Sequence, residues 1–190
     1  MRRMIFIFSG PSGAGKTTLI KHVLQTFDRE VGVSISCTTR PPRGHELDGV
    51  DYHFIPPAQF ATLVQNGAFL EHTECYGNRY GTLKSSVDDL LQIKLACIMD
   101  VEYQGASEIL SDRCVSWATK IGILVLPPSI ATLKRRLMNR KSETEESLNR
   151  RITGSFDVGK VAAYDYILVN NEIDRSRSQI CQIVEKHLSS

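Results

Sequence analysis

Short, continuously apolar runs alternate with amphipathic stretches along most of the chain. Four of these runs are typical of strands buried on both faces of a parallel sheet. They cover residues 5–8, 95–99, 121–126 and 167–169, and a weaker fifth run covers residues 31–36. Apolar residues at helical spacing lie between the runs. This alternation predicts an α/β fold with a doubly wound, five-stranded parallel sheet.

Two segments interrupt the alternation. Residues 34–88 are rich in proline, glycine and aromatic residues and contain short strand-like pieces, which favours an inserted mixed α+β subdomain. Residues 129–158 contain seven lysines and arginines, and Ser142 and Glu145 have capping-box spacing, so we expect a helical lid there. The other residues, 1–33, 92–128 and 159–190, form the predicted core of a single domain.

Composition limits the classes of function. The formal net charge is only +2, so bulk charge gives no reason to expect a nucleic-acid or membrane partner. The five cysteines form no C-x-x-C pair, which argues against a zinc site or a disulfide framework and favours the cytoplasm. No apolar run is long enough for a signal peptide or a membrane span. Whether the protein is a monomer or a homodimer stays open.

A phosphate-binding signature follows the first predicted strand. Residues 10–17 read GPSGAGKT, which has the P-loop spacing G-x-x-x-x-G-K-[ST]. Glycines at these positions let backbone N–H groups point at phosphate, while Lys16 reaches the β- and γ-phosphates and Thr17 binds Mg²⁺. The apolar run before the motif and the amphipathic stretch after it supply the strand and helix that a P-loop requires.

Polar residues follow two other predicted strands. Asp100 comes after residues 95–99, and Asn170 comes after residues 167–169. Ligands bind outside the carboxyl ends of strands in open α/β sheets, so we expect both residues and the P-loop to line one crevice. Asp100 would then hold the metal or its waters, and a helix cap or a surface acid is the alternative interpretation.

The inserted segment holds residues suited to a nucleotide acceptor. Arg40 and Arg43 lie three apart on a proline-rich loop and match a phosphate dianion, to which Tyr52 and Tyr80 can donate hydroxyl groups. Glu71 is a carboxylate in an otherwise apolar strand, and guanine offers it two adjacent N–H groups where adenine offers none. Each residue alone also fits a solvated loop charge or a core position, but together they favour a guanine nucleotide.

The chain resembles the guanylate kinase family over essentially its whole length. The motifs that carry the resemblance are, in order, GPSGAGKTT, SISCTTRPPRGHELDGVDYHF, FLEHTECYGNRYGT, DVEYQGA, LPPSIATLKRRLMNRKSETEESLNRR and YDYILVNN. This succession is far more specific than the P-loop alone. It implies Mg²⁺-dependent transfer of the γ-phosphoryl group of ATP to GMP, on a P-loop core with a GMP-binding subdomain and a lid.

The resemblance also implies a set of residues for each substrate. Those for ATP are Gly10, Pro11, Ser12, Gly13, Ala14, Gly15, Lys16, Thr17, Thr18, Arg136, Arg140 and Asn170. Those for GMP are Ser36, Arg40, Arg43, Tyr52, Glu71, Tyr80, Thr82, Asp100 and Glu102. The catalytic residues would be Lys16, Arg40, Asp100, Arg136, Arg140 and Arg151, and Mg²⁺ would be bound by Thr17 and, directly or through water, by Asp100.

Within these sets the resemblance implies particular contacts. Glu71 and Thr82 would hold the N1 and N2 edge of guanine, and Ser36 would lie near O6. Asp100 would orient Arg40 as well as serving the metal site. The arginines of the basic segment would close over the ATP phosphates and the transferred group.

The chain departs from the usual family pattern at four positions. Glu102 stands where aspartate is usual, Lys141 and His45 stand where glycine is common, and Asn171 replaces an aspartate. None of these changes removes a phosphate ligand or the guanine carboxylate.

Two other functions remain open from the sequence. Ribose bisphosphate kinases resemble guanylate kinases but have no need of Glu71 and Thr82 as a pair that reads guanine. Non-catalytic guanylate-kinase-like binding modules lack a working P-loop, whereas Lys16, Thr17 and Asp100 are all present here.

Overall fold

The computed structural model describes residues 3–75, 77–111, 115–138 and 163–189. The strands in these residues are β1 (Met4–Ser9), β2 (Val31–Val33), β3 (Cys37–Thr38), β4 (His53–Phe54), β5 (Phe69–Cys75), β6 (Asn78–Leu83), β7 (Ala96–Asp100), β8 (Thr119–Leu126) and β9 (Tyr166–Val169). The helices are α1 (Lys16–Thr26), α2 (Pro57–Gln65), α3 (Lys84–Ile93), α4 (Tyr103–Leu110), α5 (Ile130–Met138) and α6 (Ile173–Leu188).

Five of the strands form one sheet in the order β2-β7-β1-β8-β9, and each neighbouring pair is parallel. These strands fall on the five apolar runs of the sequence, so the predicted sheet is confirmed. Phe6 and Phe8 of β1 enter the core on one face of the sheet, while Ile5 and Ile7 enter the core on the other. Because side chains alternate between faces, burial on both faces requires apolar residues at consecutive positions.

Helices cover both faces of this sheet. On the face with Phe6, α1 packs through Val23 and α6 packs through Ile180. On the opposite face, α3 packs through Val87 and α4 through Ile109. The sheet is therefore doubly wound, as the sequence predicts.

A second sheet, with four strands in the order β4-β3-β6-β5, lies within the predicted insert. β6 is antiparallel to both β3 and β5, whereas β3 and β4 are parallel. α2 packs against this sheet, where the fully buried ring of Phe60 stacks on Phe69 with centroids 4.5 Å apart. The insert thus has the mixed α+β character expected, and its limits at 34 and 88 stay a prediction.

The polar segments that the sequence places after strands leave the same edge of the five-stranded sheet. β1 leads into the P-loop, β7 ends at Asp100, and Asn170 directly follows β9. Since all three strands are parallel, these segments lie at the carboxyl edge, where open α/β sheets bind ligands.

The basic segment is described only in part. Its first helix, α5, contains Arg136. Arg140, Arg151 and the helix predicted to begin at Ser142 lie outside the described residues, so the lid at 129–158 stays a prediction. None of the helices in the described part of the chain is long and apolar enough to cross a membrane.

Candidate active site

The P-loop is a turn into which no additional side chain fits at two of its glycines. Gly10 has φ 134° and Gly15 has φ 99°, which are conformations that L side chains rarely adopt. A Cβ at Gly10 would overlap the carbonyl oxygen of Val125 in β8, and one at Gly15 would overlap the side chain of Asn170. The turn is therefore pressed closely against two neighbouring segments, and α1 begins directly after it at Lys16.

Lys16 lies between the P-loop and the end of β7. Its Nζ donates a hydrogen bond of 2.7 Å to the carbonyl oxygen of Gly10 and lies 3.7 Å from Oδ1 of Asp100. The sequence predicts both groups at one crevice, and the structure brings them together. This is an arrangement in which a cation is held beside the loop while a carboxylate balances its charge.

Asn170 and Arg136 support the other side of the P-loop. Nδ2 of Asn170 donates to the carbonyl oxygen of Ala14 at 2.8 Å, and Arg136 donates to the same oxygen at 3.3 Å. Arg136 also donates to the backbone oxygen of Asn170 at 3.0 Å. Arg136 and Asn170 border a cavity of about 360 Å³ that Gly15 and Thr18 also line. Both predicted ATP-side residues thus lie against the P-loop backbone.

The two arginines of the insert share one carboxylate that the sequence analysis did not single out. Arg40 donates to both oxygens of Glu46, at 2.6 and 2.8 Å, and the backbone N–H of Arg43 donates to Oε2 at 2.8 Å. The Arg40 guanidinium also lies over the ring of Tyr52, 5.0 Å from its centroid. The resemblance implies that Asp100 orients Arg40. In the structure, Arg40 pairs with Glu46, and Asp100 faces Lys16.

Glu71 is a buried carboxylate on β5 and is only 5% exposed. The hydroxyl of Thr82 donates to its Oε1 at 2.8 Å, and Oγ of Ser36 lies 3.1 Å from the Thr82 hydroxyl. Burial raises the pKa of Glu71 to about 7, although the hydrogen bonds from Thr82 oppose the shift. Thr82 is itself fully buried and contacts the carboxylate. Thr82 is thus a hydrogen-bond partner of Glu71, and its contact with guanine stays a prediction.

The space for the Glu71 carboxylate depends on a glycine that the sequence analysis did not single out. A Cβ at Gly105 of α4 would overlap Oε2 of Glu71. The close contact joins the second sheet to a helix of the core. In the sequence, this contact is indicated only by a small residue within the motif DVEYQGA. The motif does not show which side chain lies against that residue.

One cavity of about 490 Å³ joins the two groups of residues. The core contributes residues that include Lys16, Thr17, Asp100 and Glu102 to its lining. The insert contributes the predicted acceptor residues, which are Ser36, Arg40, Arg43, Tyr52, Glu71 and Tyr80. Burial raises the pKa of Tyr52, so its hydroxyl remains a neutral hydrogen-bond donor. The cavity therefore contains cationic side chains that can bind an anionic ligand. It also contains a carboxylate that can accept hydrogen bonds from the edge of a nucleobase.

A glycine-rich turn between a central parallel strand and a helix, with its lysine at the cavity, is the phosphate-binding element of P-loop proteins. The fold and this turn define a P-loop nucleotide-binding protein. The family model described as guanylate kinase matches residues 1–187. The chain belongs to the guanylate kinase family.

Curated relatives agree with the family model. A guanylate kinase of Anaeromyxobacter dehalogenans is 40% identical over 183 residues, which cover 95% of this chain and 79% of that protein. A guanylate kinase of Legionella pneumophila is 36% identical over 181 residues, which cover 95% of this chain and 84% of the relative. The fold is also similar to the crystal structure of guanylate kinase from Anaplasma phagocytophilum. That similarity has a TM-score of 0.72 at 26% identity and covers 98% of this chain and 86% of the other.

The contact between Gly105 and Glu71 generates a first prediction. Gly105→Ala should displace the carboxylate and lower kcat/KM for GMP roughly tenfold or more, because a hydrogen bond to a charged group contributes about 1.5–3 kcal/mol. KM for ATP should stay within about twofold. Alanine is favourable in a helix, so the backbone of α4 is not weakened by the change. Steady-state kinetics with each substrate varied in turn gives the comparison.

Ser107→Ala is the matched control, since Ser107 is an exposed position on the same helix. It should leave both Michaelis constants unchanged. If Gly105→Ala has no greater effect than this control, the carboxylate does not need the space above Gly105.

The raised pKa of Glu71 generates a second prediction. Below pH 7 the carboxyl group is mostly protonated, and a protonated carboxyl group would offer guanine one hydrogen-bond acceptor fewer, so kcat/KM for GMP should rise with pH through about 7. The second ionisation of a phosphate near pH 6 adds its own slope. Glu71→Gln should keep that slope and lose the rise near 7. Identical pH profiles for the two proteins would show that Glu71 does not titrate in the reaction.

Proposed function

We propose that this protein transfers the γ-phosphoryl group of ATP to GMP in the cavity between its two sheets, which forms ADP and GDP. The observation that carries the proposal is that a P-loop lysine and a buried carboxylate suited to guanine border the same cavity. Membership of the guanylate kinase family supports the same reaction.

The P-loop side suits the donor nucleotide. Backbone N–H groups of residues 10–17 and the N-terminus of α1 would bind the β- and γ-phosphates, with Lys16 beside them. The smaller cavity, which Arg136, Asn170 and Thr18 line, lies on the far side of the loop and would receive the rest of ATP. Because Arg136 and Asn170 hydrogen-bond to the P-loop backbone, they would also keep the loop in its binding conformation.

The insert suits the acceptor nucleotide. Arg40, Arg43, Tyr52 and Tyr80 would bind the GMP phosphate, which needs both positive charge and neutral hydroxyl donors. Glu71 would accept hydrogen bonds from guanine N1–H and the 2-amino group. Of the residues that support it, Ser36 lines the cavity and would donate to O6, while Thr82 would hold Glu71 in place.

Charge neutralisation is the main requirement of the reaction, because donor and acceptor are both polyanions. Lys16, Arg40 and Arg43 would lower the cost of bringing the two phosphates together and align the acceptor oxygen with the γ-phosphorus. The acceptor oxygen is already ionised, so no general base is needed. Arg140 and Arg151 would add positive charge when the lid closes and excludes water.

The cavity also offers ligands of the kind that Mg²⁺ prefers. The hydroxyl of Thr17 and the carboxylate of Asp100 both border it, and magnesium takes oxygen ligands in an octahedral arrangement. No group of three or more histidine, cysteine, aspartate or glutamate side chains in the described part of the chain could hold a metal ion. Phosphate and water oxygens would complete the coordination beside Thr17 and Asp100. When bound, the ion supplies positive charge at the phosphates.

The buried carboxylate generates the prediction that tests this function. With ATP present, the protein should convert GMP to GDP with equimolar ADP, and it should prefer GMP over AMP by on the order of 10² or more in kcat/KM. Glu71→Gln should lower kcat/KM for GMP and reduce that preference, because one acceptor oxygen becomes a donor. KM for ATP should change little. A coupled assay of ADP release, with GDP measured by chromatography, provides the values.

Lys16→Met provides the comparison on the donor side. It should lower kcat on the order of 10²-fold or more, since it removes a preorganised charge at the transferred group. A Glu71→Gln protein that keeps the native preference for GMP over AMP would mean that guanine is recognised elsewhere.

A further inference from the structure

Glu46 holds the Arg40 guanidinium in one orientation. Arg40 is only 6% exposed, and its Nη1 and Nη2 donate to Oε2 and Oε1 of Glu46 at 2.6 and 2.8 Å. Nη1 also donates to the carbonyl oxygen of Pro41 at 3.0 Å. Rings of Tyr52 and Phe54 lie 5.0 and 5.6 Å from the guanidinium carbon. Hydrogen bonds in the plane of the group and aromatic rings beside it thus fix the position of Arg40.

The hydrogen bonds to Glu46 and Pro41 do not use the N–H groups on one edge of the Arg40 guanidinium. A guanidinium has five N–H groups in a fixed planar fork. Three of them are used, and the two that remain, on Nε and Nη2, lie side by side. Nε is buried and has no hydrogen-bond partner among the described residues. Two parallel N–H groups match two phosphate oxygens, and such a pair would satisfy the buried Nε.

Glu46 also links the backbone of Arg43 to the side chain of Arg40. Its Oε2 accepts the backbone N–H of Arg43 as well as Nη1 of Arg40. Burial alone would raise the pKa of Glu46, but hydrogen bonds from Arg40 and Arg43 outweigh it and hold the pKa below its usual value. The carboxylate therefore stays ionised near neutral pH. It offsets the repulsion between two cations that lie three residues apart.

We propose that Glu46 is a positioning residue for the acceptor phosphate. It occupies the edge of Arg40 formed by Nη1 and Nη2, so that the edge formed by Nε and Nη2 is kept for a phosphate, and it fixes the loop that carries Arg43. The inference rests on the proposed function, in which Arg40 and Arg43 bind the phosphate of GMP. It extends that function to a residue that acts through Arg40 and Arg43.

The test is a change that keeps the shape of the side chain and removes its charge. Glu46→Gln replaces one acceptor oxygen with an amide that faces an arginine N–H group. We expect KM for GMP to rise roughly tenfold or more, the effect of losing one charged hydrogen bond. KM for ATP should stay within about twofold, since the P-loop is unchanged. Glu46→Asp keeps the charge on a shorter side chain, so its KM for GMP should lie between those of the wild type and Glu46→Gln.

Glu74→Gln is the matched control. Glu74 pairs with Arg79 at 3.8 Å in the same sheet, but both side chains are largely exposed, at 65% and 46%. An exposed pair contributes little, so this change should leave both Michaelis constants within about twofold.

Guanosine separates an effect at the phosphate from an effect on the whole insert. As a competitive inhibitor against GMP it should keep its Ki in Glu46→Gln, because it lacks the phosphate. A Ki for guanosine that rises by the same factor as KM for GMP would overturn the proposal. A lower KM for GMP would also overturn it, because Glu46 would then be a competitor that the phosphate must displace.

A double-mutant cycle tests whether Glu46 acts through Arg40. In an Arg40→Lys background, Glu46→Gln should raise KM for GMP by much less than in the wild type. An equal increase in both backgrounds would contradict the proposal. Failure of the proposed function itself is separately visible, because the wild-type protein would then form no GDP from GMP and ATP.

Discussion

The burial of one carboxylate at the contact between the second sheet and helix α4 is the constraint on which the acceptor half of the cavity depends. Glu71 loses most of its hydration on β5, and a desolvated carboxylate is costly unless hydrogen bonds replace the lost water. Thr82 supplies one such bond, and Gly105 supplies the space. The carboxylate also borders the cavity. Because burial raises the pKa of the Glu71 carboxyl group to about 7, the free protein carries this group partly protonated at neutral pH. Two N–H donors, such as those of guanine, would stabilise its ionised form.

The cations expected to bind phosphate are also compensated by neighbouring groups in the free protein. Lys16 is held beside Asp100, and Arg40 is held by Glu46, so each cation has a carboxylate that balances it before any substrate binds. Preorganised cations need little rearrangement when phosphate arrives. Contacts with neighbouring segments also restrict the P-loop, because β8 and the side chain of Asn170 lie close against two of its glycines.

The sequence predicts most of the fold and much of the candidate site, for physical reasons that differ. Strands buried on two faces must be apolar at consecutive positions, so β1 and β7 are visible as runs. The P-loop is local in sequence, and its glycines and Lys16 can be recognised together. The contacts of Glu46, Gly105 and Arg136 could not be predicted, because each depends on which segments approach in three dimensions. A carboxylate six residues after Arg40 resembles an ordinary loop charge until its hydrogen bonds are known.

The central claim is that one buried carboxylate recognises two N–H groups of the acceptor base. Calorimetric titration of the wild-type protein with GMP, IMP and AMP tests it most directly. The three ligands share the ribose and the phosphate, but IMP keeps N1–H without the 2-amino group and AMP has neither donor. GMP should bind most tightly, IMP roughly 10- to 100-fold more weakly, and AMP more weakly still. Equal affinity for GMP and AMP would contradict the account, and so would equal affinity for GMP and IMP.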